Sequence, residues 1–173
     1  MKEKIALYLV ATVKRIGALW VGCLIAIVPL YILRANIHDL DDRAIVEYAV
    51  TPTIILLTAV IFLFFLYRHD DHAAKLTAQE ALLLTLIPTV IHFFICFITA
   101  FTQNLIVIST GMGYSFVHLL EPDADGVAEL SAGVQILASA IVTPIPAIGV
   151  YLGSLTARRK RRKESAELHG DKK

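Results

Sequence analysis

The chain has 173 residues, of which 57% are apolar, and its mean hydropathy is +0.68. Because an ordinary soluble domain carries roughly 45–50% apolar residues, the composition excludes that class. The formal net charge is only +1, and no nucleic-acid partner is expected. The two cysteines, Cys23 and Cys96, both lie inside apolar segments, which excludes an extracellular disulfide framework.

Four long segments contain no Asp, Glu, Lys or Arg, and they cover residues 16–33, 48–67, 81–120 and 130–157. Each is long enough to cross a hydrocarbon core of about 30 Å as a helix of roughly 20 residues. A membrane β-barrel would instead show short segments of alternating polarity. The sequence therefore predicts an all-α integral membrane protein, a four-helix bundle with spans at about 16–34, 48–67, 81–102 and 131–155.

The distribution of Lys and Arg predicts which side of the membrane each loop faces, because these residues concentrate in cytoplasmic loops. The chain carries four of them up to Arg15, two in 34–47, two in 68–80, none in 103–129 and eight after Leu155. Four spans with both termini inside place fourteen in the cytoplasm and two outside. Five spans would place six inside and ten outside. Four spans in a plasma membrane, with both termini cytoplasmic, are therefore favoured.

The segment before Ile16 has charges at both ends and apolar residues between them. It fits either an amphipathic helix at the membrane surface or an extension of the first span, and the extension is the simpler interpretation. The first span carries Ala18, Gly22 and Ala26 at four-residue spacing. Small residues at that spacing let a second helix approach closely in lipid, so this face is predicted to be a helix contact.

A polar hairpin joins the second and third spans. Residues 69–72 contain two histidines and two aspartates that could bind a divalent metal. No further ligands are evident nearby, so a solvated loop is preferred. Thr77 and Glu80 form a T-x-x-E pattern, which is typical of a capping box and predicts the start of the third helix.

The third span carries the most informative pattern. Its polar or sulfur-containing side chains recur at intervals of four and three residues, which places them on one face of a helix. They are Thr85, Thr89, His92, Cys96, Thr99 and Gln103. We call this face the polar stripe. It is predicted to line a pore or cavity, with His92 as gate or proton relay, or to hydrogen-bond to other helices.

The apolar segment after Gln103 is predicted to stay on the outer side, because the charge count favours four spans. The acidic stretch that follows resembles a calcium-binding loop, with Glu121, Asp123 and Asp125 at its first ligand positions. Ala132 stands where that loop needs a bidentate Glu. A weak outer cation site and a solvated acidic loop both fit, and the solvated loop is favoured.

The fourth span has a second polar set at four-residue spacing. These candidate cavity-lining residues are Gln135, Ser139 and Thr143. Pro144 and Pro146 are predicted to distort the helix, because proline lacks the N–H that an interior position donates. Gly149 and Gly153 form a GxxxG pattern, which predicts a second helix contact.

The transmembrane domain, residues 1–157, is followed by a basic tail, residues 158–173. The tail is predicted to be disordered and to bind anionic lipid through a basic cluster. The cluster comprises Arg158, Arg159, Lys160, Arg161, Arg162 and Lys163.

The continuous polar stripe favours a small transport or permeation component, acting as a homo-oligomer or beside a larger membrane partner. The alternative is a structural or accessory membrane protein in which the stripe only holds helices together. His92, Cys96 and Cys23 could form a metal or redox site, but their depths of about 17, 23 and 11 Å argue against convergence. Neither a Ser/His/Asp set nor an H-E-x-x-H pattern occurs, so no enzyme, cofactor or metal is predicted.

Overall fold

The computed structural model describes residues 2–36, 50–99 and 140–170, and within these ranges every regular element is a helix. The helices are α1 (Lys2–Asn36), α2 (Thr51–Arg68), α3 (Asp71–Lys75), α4 (Ala78–Thr99) and α5 (Ile145–Gly170). Three helical segments are long and apolar enough to cross a membrane, namely Lys4–Ala26, Ala78–Ile98 and Ala140–Glu167. A fourth, Thr53–Arg68, is apolar but shorter. The all-α class with membrane-length helices is confirmed for this part of the chain.

Helix α1 is continuous over 35 residues, so the segment before Ile16 extends the first span. The extension is rich in Ala, Leu and Lys and contains neither Gly nor Pro before Gly17, which suits an uninterrupted helix. At 1.5 Å per residue the helix is roughly 52 Å long, more than a bilayer core requires. Its apolar stretch of membrane length is Lys4–Ala26, and this stretch includes Arg15.

Helix α2 packs against both α1 and α5. A Cβ atom added to Gly22 of α1 would lie 2.6 Å from the carbonyl oxygen of Ile55, so the two backbones touch at this point. Nearer the other end of α2, Lys14 forms an ion pair of 3.6 Å with Asp70. Because residue 22 lies beside 55 and residue 14 beside 70, α1 and α2 run antiparallel.

Helix α5 approaches α2 through two glycines. A Cβ atom on Gly153 would lie 2.5 Å from the carbonyl oxygen of Phe64, and one on Gly149 would overlap the carbonyl oxygen of Val60. Because residue 149 lies beside residue 60 and residue 153 beside residue 64, α2 and α5 run parallel. Helix α4 completes the contacts by packing against α1 and α5.

The polar hairpin is organised by two helix caps. The backbone N–H and the hydroxyl of Thr77 each donate to Oε2 of Glu80 at 3.0 Å, and the Glu80 N–H donates back to the Thr77 hydroxyl at 3.2 Å. This confirms the predicted capping box at the start of α4. Asp70 caps α3, because its Oδ1 atom accepts from the N–H groups of His72 and Ala73 at 2.9 and 3.3 Å.

The segment that the sequence predicts as a fourth span is interrupted at its prolines. Residues 140–142 are helical, the chain turns at Thr143 and Pro144, and α5 begins at Ile145. Pro146 therefore lies in the first turn of α5, where a missing N–H costs no helix hydrogen bond. The prediction that the two prolines distort this span is confirmed.

The predicted disorder of the tail is wrong for the described residues, because α5 continues to Gly170. The tail from Arg158 consists largely of Arg, Lys, Glu and Ala, all strong helix formers. Lys160 and Glu164 lie 3.8 Å apart one turn along the helix, a spacing that supports a helix by a few tenths of a kcal/mol. The basic cluster is thus carried on a helix continuous with the apolar part of α5.

Candidate functional site

The polar stripe of α4 faces the other helices. Thr85, His92 and Cys96 are 6%, 0% and 0% exposed, and Thr89 is half-buried. The remaining surface of α4 presents large apolar side chains to the outside. They are Leu82, Leu83, Leu86, Val90, Phe94 and Ile98. A helix with apolar residues outward and polar residues inward is typical of a membrane protein in which the stripe contacts protein.

The threonine hydroxyls of the stripe donate within their own helix. Thr85 Oγ1 donates to the carbonyl of Ala81 at 2.8 Å, and Thr89 Oγ1 donates to the carbonyl of Thr85 at 2.7 Å. Pro88 lies between them and has no N–H to give the carbonyl of Leu84. The hydroxyl oxygens keep acceptor capacity, so this part of α4 presents a group of acceptors to its neighbour α1.

Arg15 of α1 meets those acceptors. Its guanidinium donates from Nη2 to the carbonyl of Thr85 at 2.5 Å and from Nη1 to the hydroxyl of Thr89. The residue is 0% exposed. Sequence reasoning missed Arg15, because it was counted as a charge of the N-terminal cytoplasmic segment. We call Arg15, Thr85 and Thr89 the buried cationic cluster.

A signal for the burial of Arg15 was present in the sequence. Arg15 lies four residues after Ala11 and three before Ala18, on the helix face that continues through Gly22 and Ala26. Ala11, Ala18 and Ala26 are all at most 3% exposed. The small side chains let α1 approach its neighbours closely, and an arginine on the same face is buried with them.

The charge of Arg15 is not neutralised by a carboxylate at ion-pair distance among residues 2–36, 50–99 and 140–170. Two acidic residues near this end of the helices are engaged elsewhere, since Asp70 pairs with Lys14 at 3.6 Å and Glu80 with Lys4 at 3.9 Å. The Nε atom of Arg15 also finds no hydrogen-bond partner within the described part of the chain. Arginine remains protonated in proteins, so the cluster carries a full positive charge.

Exposed apolar residues lie on α1 on both sides of Arg15. Val13 is 68% exposed and Leu24 is 64% exposed, although both are large aliphatic side chains. Exposure of this kind fits contact with lipid rather than water. The buried cationic cluster is therefore flanked along α1 by exposed apolar side chains, and burial of a charge without a carboxylate partner is costly.

The other candidate residues are distributed as follows. Thr143 is buried at the turn before α5. Cys23 is half-buried and Cys96 is buried. In the described ranges no group of three or more His, Cys, Asp or Glu could hold a metal ion. Thr99 ends α4. The apolar segment after Gln103 lies outside the described residues, and so do six further candidates: Gln103, Glu121, Asp123, Asp125, Gln135 and Ser139.

Comparison with known proteins assigns no family. The chain matches no protein-family model, no curated protein and no solved structure. Function is therefore inferred from the chemistry of the chain itself, and the buried cationic cluster is its most unusual chemical feature.

Proposed function

We propose that the chain is a small transport or permeation component of the plasma membrane. It forms a four-helix bundle with both termini in the cytoplasm and works as a homo-oligomer or within a larger membrane complex. The observation that carries the proposal is Arg15, a fully buried guanidinium whose partners are Thr85 and Thr89. An ionisable side chain at membrane depth marks an ion or substrate path by default.

The cluster favours an anion, or the anionic group of a larger substrate. A guanidinium with no carboxylate beside it attracts negative charge and repels cations, and both effects grow in a medium of low dielectric constant. Arg15 is already 0% exposed in the single chain. Water does not reach a fully buried side chain, so a chloride ion and a counter-charge on a partner helix both reach Arg15 only when the helices move apart, and the small anion needs the smaller opening.

His92 provides the second element of the path. It follows Thr89 by three residues on the same face of α4, about 4.5 Å farther along the helix axis, and is 0% exposed. Protonation of His92 would add a second positive charge near Arg15 and strengthen anion binding. We therefore propose that His92 titrates within the path and makes transport depend on pH.

The test is anion efflux from phosphatidylcholine vesicles that contain the purified full-length chain, measured with chloride and then nitrate. Arg15→Gln is expected to reduce efflux at least tenfold, and Arg15→Lys to retain part of it. Lys14→Gln is the matched control, since it removes the neighbouring charge from a half-buried ion pair. His92→Phe should change the pH dependence. Efflux no greater than from protein-free vesicles, with correctly folded protein, would contradict the proposal.

A structural or accessory role is the second candidate, and the packing of the stripe supports it. Thr85, His92 and Cys96 are closely surrounded, and the two threonine hydroxyls already donate within α4. In that role Arg15 would hold α1 against α4 and would take no part in transport. Purification with native partners, followed by mass determination, distinguishes the two roles, because an accessory protein should co-purify in a fixed ratio with a larger membrane protein.

A further inference from the structure

A groove of about 470 Å³ lies between the turn that joins α3 to α4 and the basic part of α5. One wall contributes Lys75, and the other contributes Arg158, Arg161 and Arg162. Thr77 and Ser165 add hydroxyl groups. None of the described residues that line this groove is acidic. We call it the basic groove.

A neighbouring groove, which shares Lys75 and Arg161 with the basic groove, has a different charge. A second groove of about 300 Å³ is lined by basic residues that include Arg68 and Lys160, but Asp70, Asp71 and Glu164 line it too. Lys160 there pairs with Glu164 at 3.8 Å. In contrast, the four cations of the basic groove make no ion pair with a described acidic residue. The basic groove therefore has cations and no carboxylate in its described lining, whereas the second groove has both.

The helical tail fixes the geometry of that face. Residues 158, 161, 162 and 165 are spaced by three, one and three positions, so they share one side of α5. A disordered tail would attract anions diffusely, whereas a helix holds three guanidinium groups at set distances. Guanidinium groups bind phosphate oxygens in pairs of parallel hydrogen bonds. The basic groove thus has the chemistry of a phosphate site.

The groove also lies beside apolar surface. Gly153 packs against the end of α2 at Phe64 and Arg68, and Arg158 follows about 7.5 Å farther along α5. On the membrane side, Tyr151 is 43% exposed on the same face of α5 as Arg158. On the opposite wall, Leu82 of α4 is 47% exposed one turn beyond Ala78. A ligand in the groove would therefore meet cations at one end and lipid-facing side chains at the other.

We propose that the basic groove binds the headgroup of an anionic membrane lipid that carries a phosphomonoester. Lys75, Arg158, Arg161 and Arg162 hold the phosphate, and the acyl chains lie along the exposed apolar faces of α4 and α5. A phosphomonoester carries a charge of about −1.5 to −2 at neutral pH and offers three acceptor oxygens, which suits several guanidinium groups better than a phosphodiester does. The site is independent of transport through the bundle.

The test is native mass spectrometry of the full-length chain in detergent, titrated with phosphatidic acid and, separately, with phosphatidylserine. The groove variant replaces Arg158, Arg161 and Arg162 with Gln. The matched control replaces Arg159, Lys160 and Lys163 with Gln, so it removes the same charge from the same helix outside the basic groove. Lys75→Gln probes the opposite wall in a chain whose α5 is unaltered.

The wild-type chain is expected to bind phosphatidic acid at least tenfold more tightly than phosphatidylserine. The groove variant should weaken phosphatidic acid binding roughly 100-fold and Lys75→Gln roughly fivefold, while the control stays within about threefold. Equal weakening by the groove variant and the control would overturn the proposal in favour of diffuse charge attraction. Displacement of phosphatidic acid by equimolar glycerol phosphate would overturn the lipid source and indicate a soluble phosphate ligand.

Discussion

Arg15 donates a 2.5 Å hydrogen bond from its Nη2 atom to the main-chain carbonyl of Thr85, seventy residues later in the chain. This bond joins α1 to α4, and Arg15 is fully buried at that point. The same oxygen also accepts from the Thr89 hydroxyl at 2.7 Å. A charged donor and a hydroxyl that share one carbonyl form a compact polar group in otherwise apolar packing.

Replacing Arg15 separates a functional role from a structural one. Burying a charge costs several kcal/mol, and an apolar side chain of similar length removes that cost. Arg15→Met is therefore expected to leave thermal stability in detergent unchanged or raised while anion efflux is lost. Lys14→Met, which breaks a half-buried surface pair, should change stability by about 0–1 kcal/mol. A marked loss of stability in Arg15→Met alone would indicate that Arg15 is a tie between helices.

Glycine at position 149 is required by the approach of α5 to α2. A Cβ atom there would overlap the carbonyl oxygen of Val60, and backbone atoms of a packed helix cannot move aside locally. Gly149→Ala is expected to lower the free energy of unfolding by about 1–3 kcal/mol, measured by thermal unfolding in detergent.

Gly17→Ala provides the matched control for that substitution. Gly17 also lies inside a helix, but an added Cβ atom would meet nothing within 4 Å. Because alanine favours the helix over glycine by up to about 1 kcal/mol, Gly17→Ala should be neutral or stabilising. Equal behaviour of the two alanine variants would contradict close packing at Gly149.

The start of α4 depends on the capping box of Thr77 and Glu80. Thr77→Ala removes the hydroxyl that accepts from the Glu80 N–H at 3.2 Å and should cost about 1 kcal/mol. Thr77→Ser keeps the hydroxyl and should retain most of the stability. Hydrogen exchange of the first turn of α4 is the direct measurement, and unchanged exchange in Thr77→Ala would show that the cap contributes little.

Much of the fold is predictable because its determinants are local. The charge-free segments identify membrane-length helices, and the spacing of Thr77 and Glu80 identifies a helix start. Pro144 and Pro146 identify a helix break. Each of these signals acts within a few residues, so a single sequence contains the information that is needed.

The candidate site is less predictable because its key contact is not local. The inward face of α4 follows from periodicity, but the partner of Thr85 and Thr89 depends on which helix packs beside them and in what register. Arg15 also follows Lys14, and a pair of cations at the edge of an apolar block is typical of a membrane boundary. The high charge of the tail led to the wrong prediction that it is disordered. The helix propensity of its residues prevailed over their charge.

The accessibility of Cys96 distinguishes a path that opens from a stripe that stays closed. Cys96 is buried on the same face of α4 as Thr89 and His92, so the resting structure shields it from water. If the stripe lines a path, the path hydrates intermittently, and a charged, membrane-impermeant thiol reagent should modify Cys96 slowly in Cys23→Ser protein in vesicles.

The control is Cys96→Ser, in which half-buried Cys23 on α1 remains and should resist the charged reagent. Modification of Cys96 that slows in the presence of a transported anion would link the opening to transport. Complete protection of Cys96 over hours, in protein that reacts fully once unfolded, would instead indicate that the stripe only packs helices together.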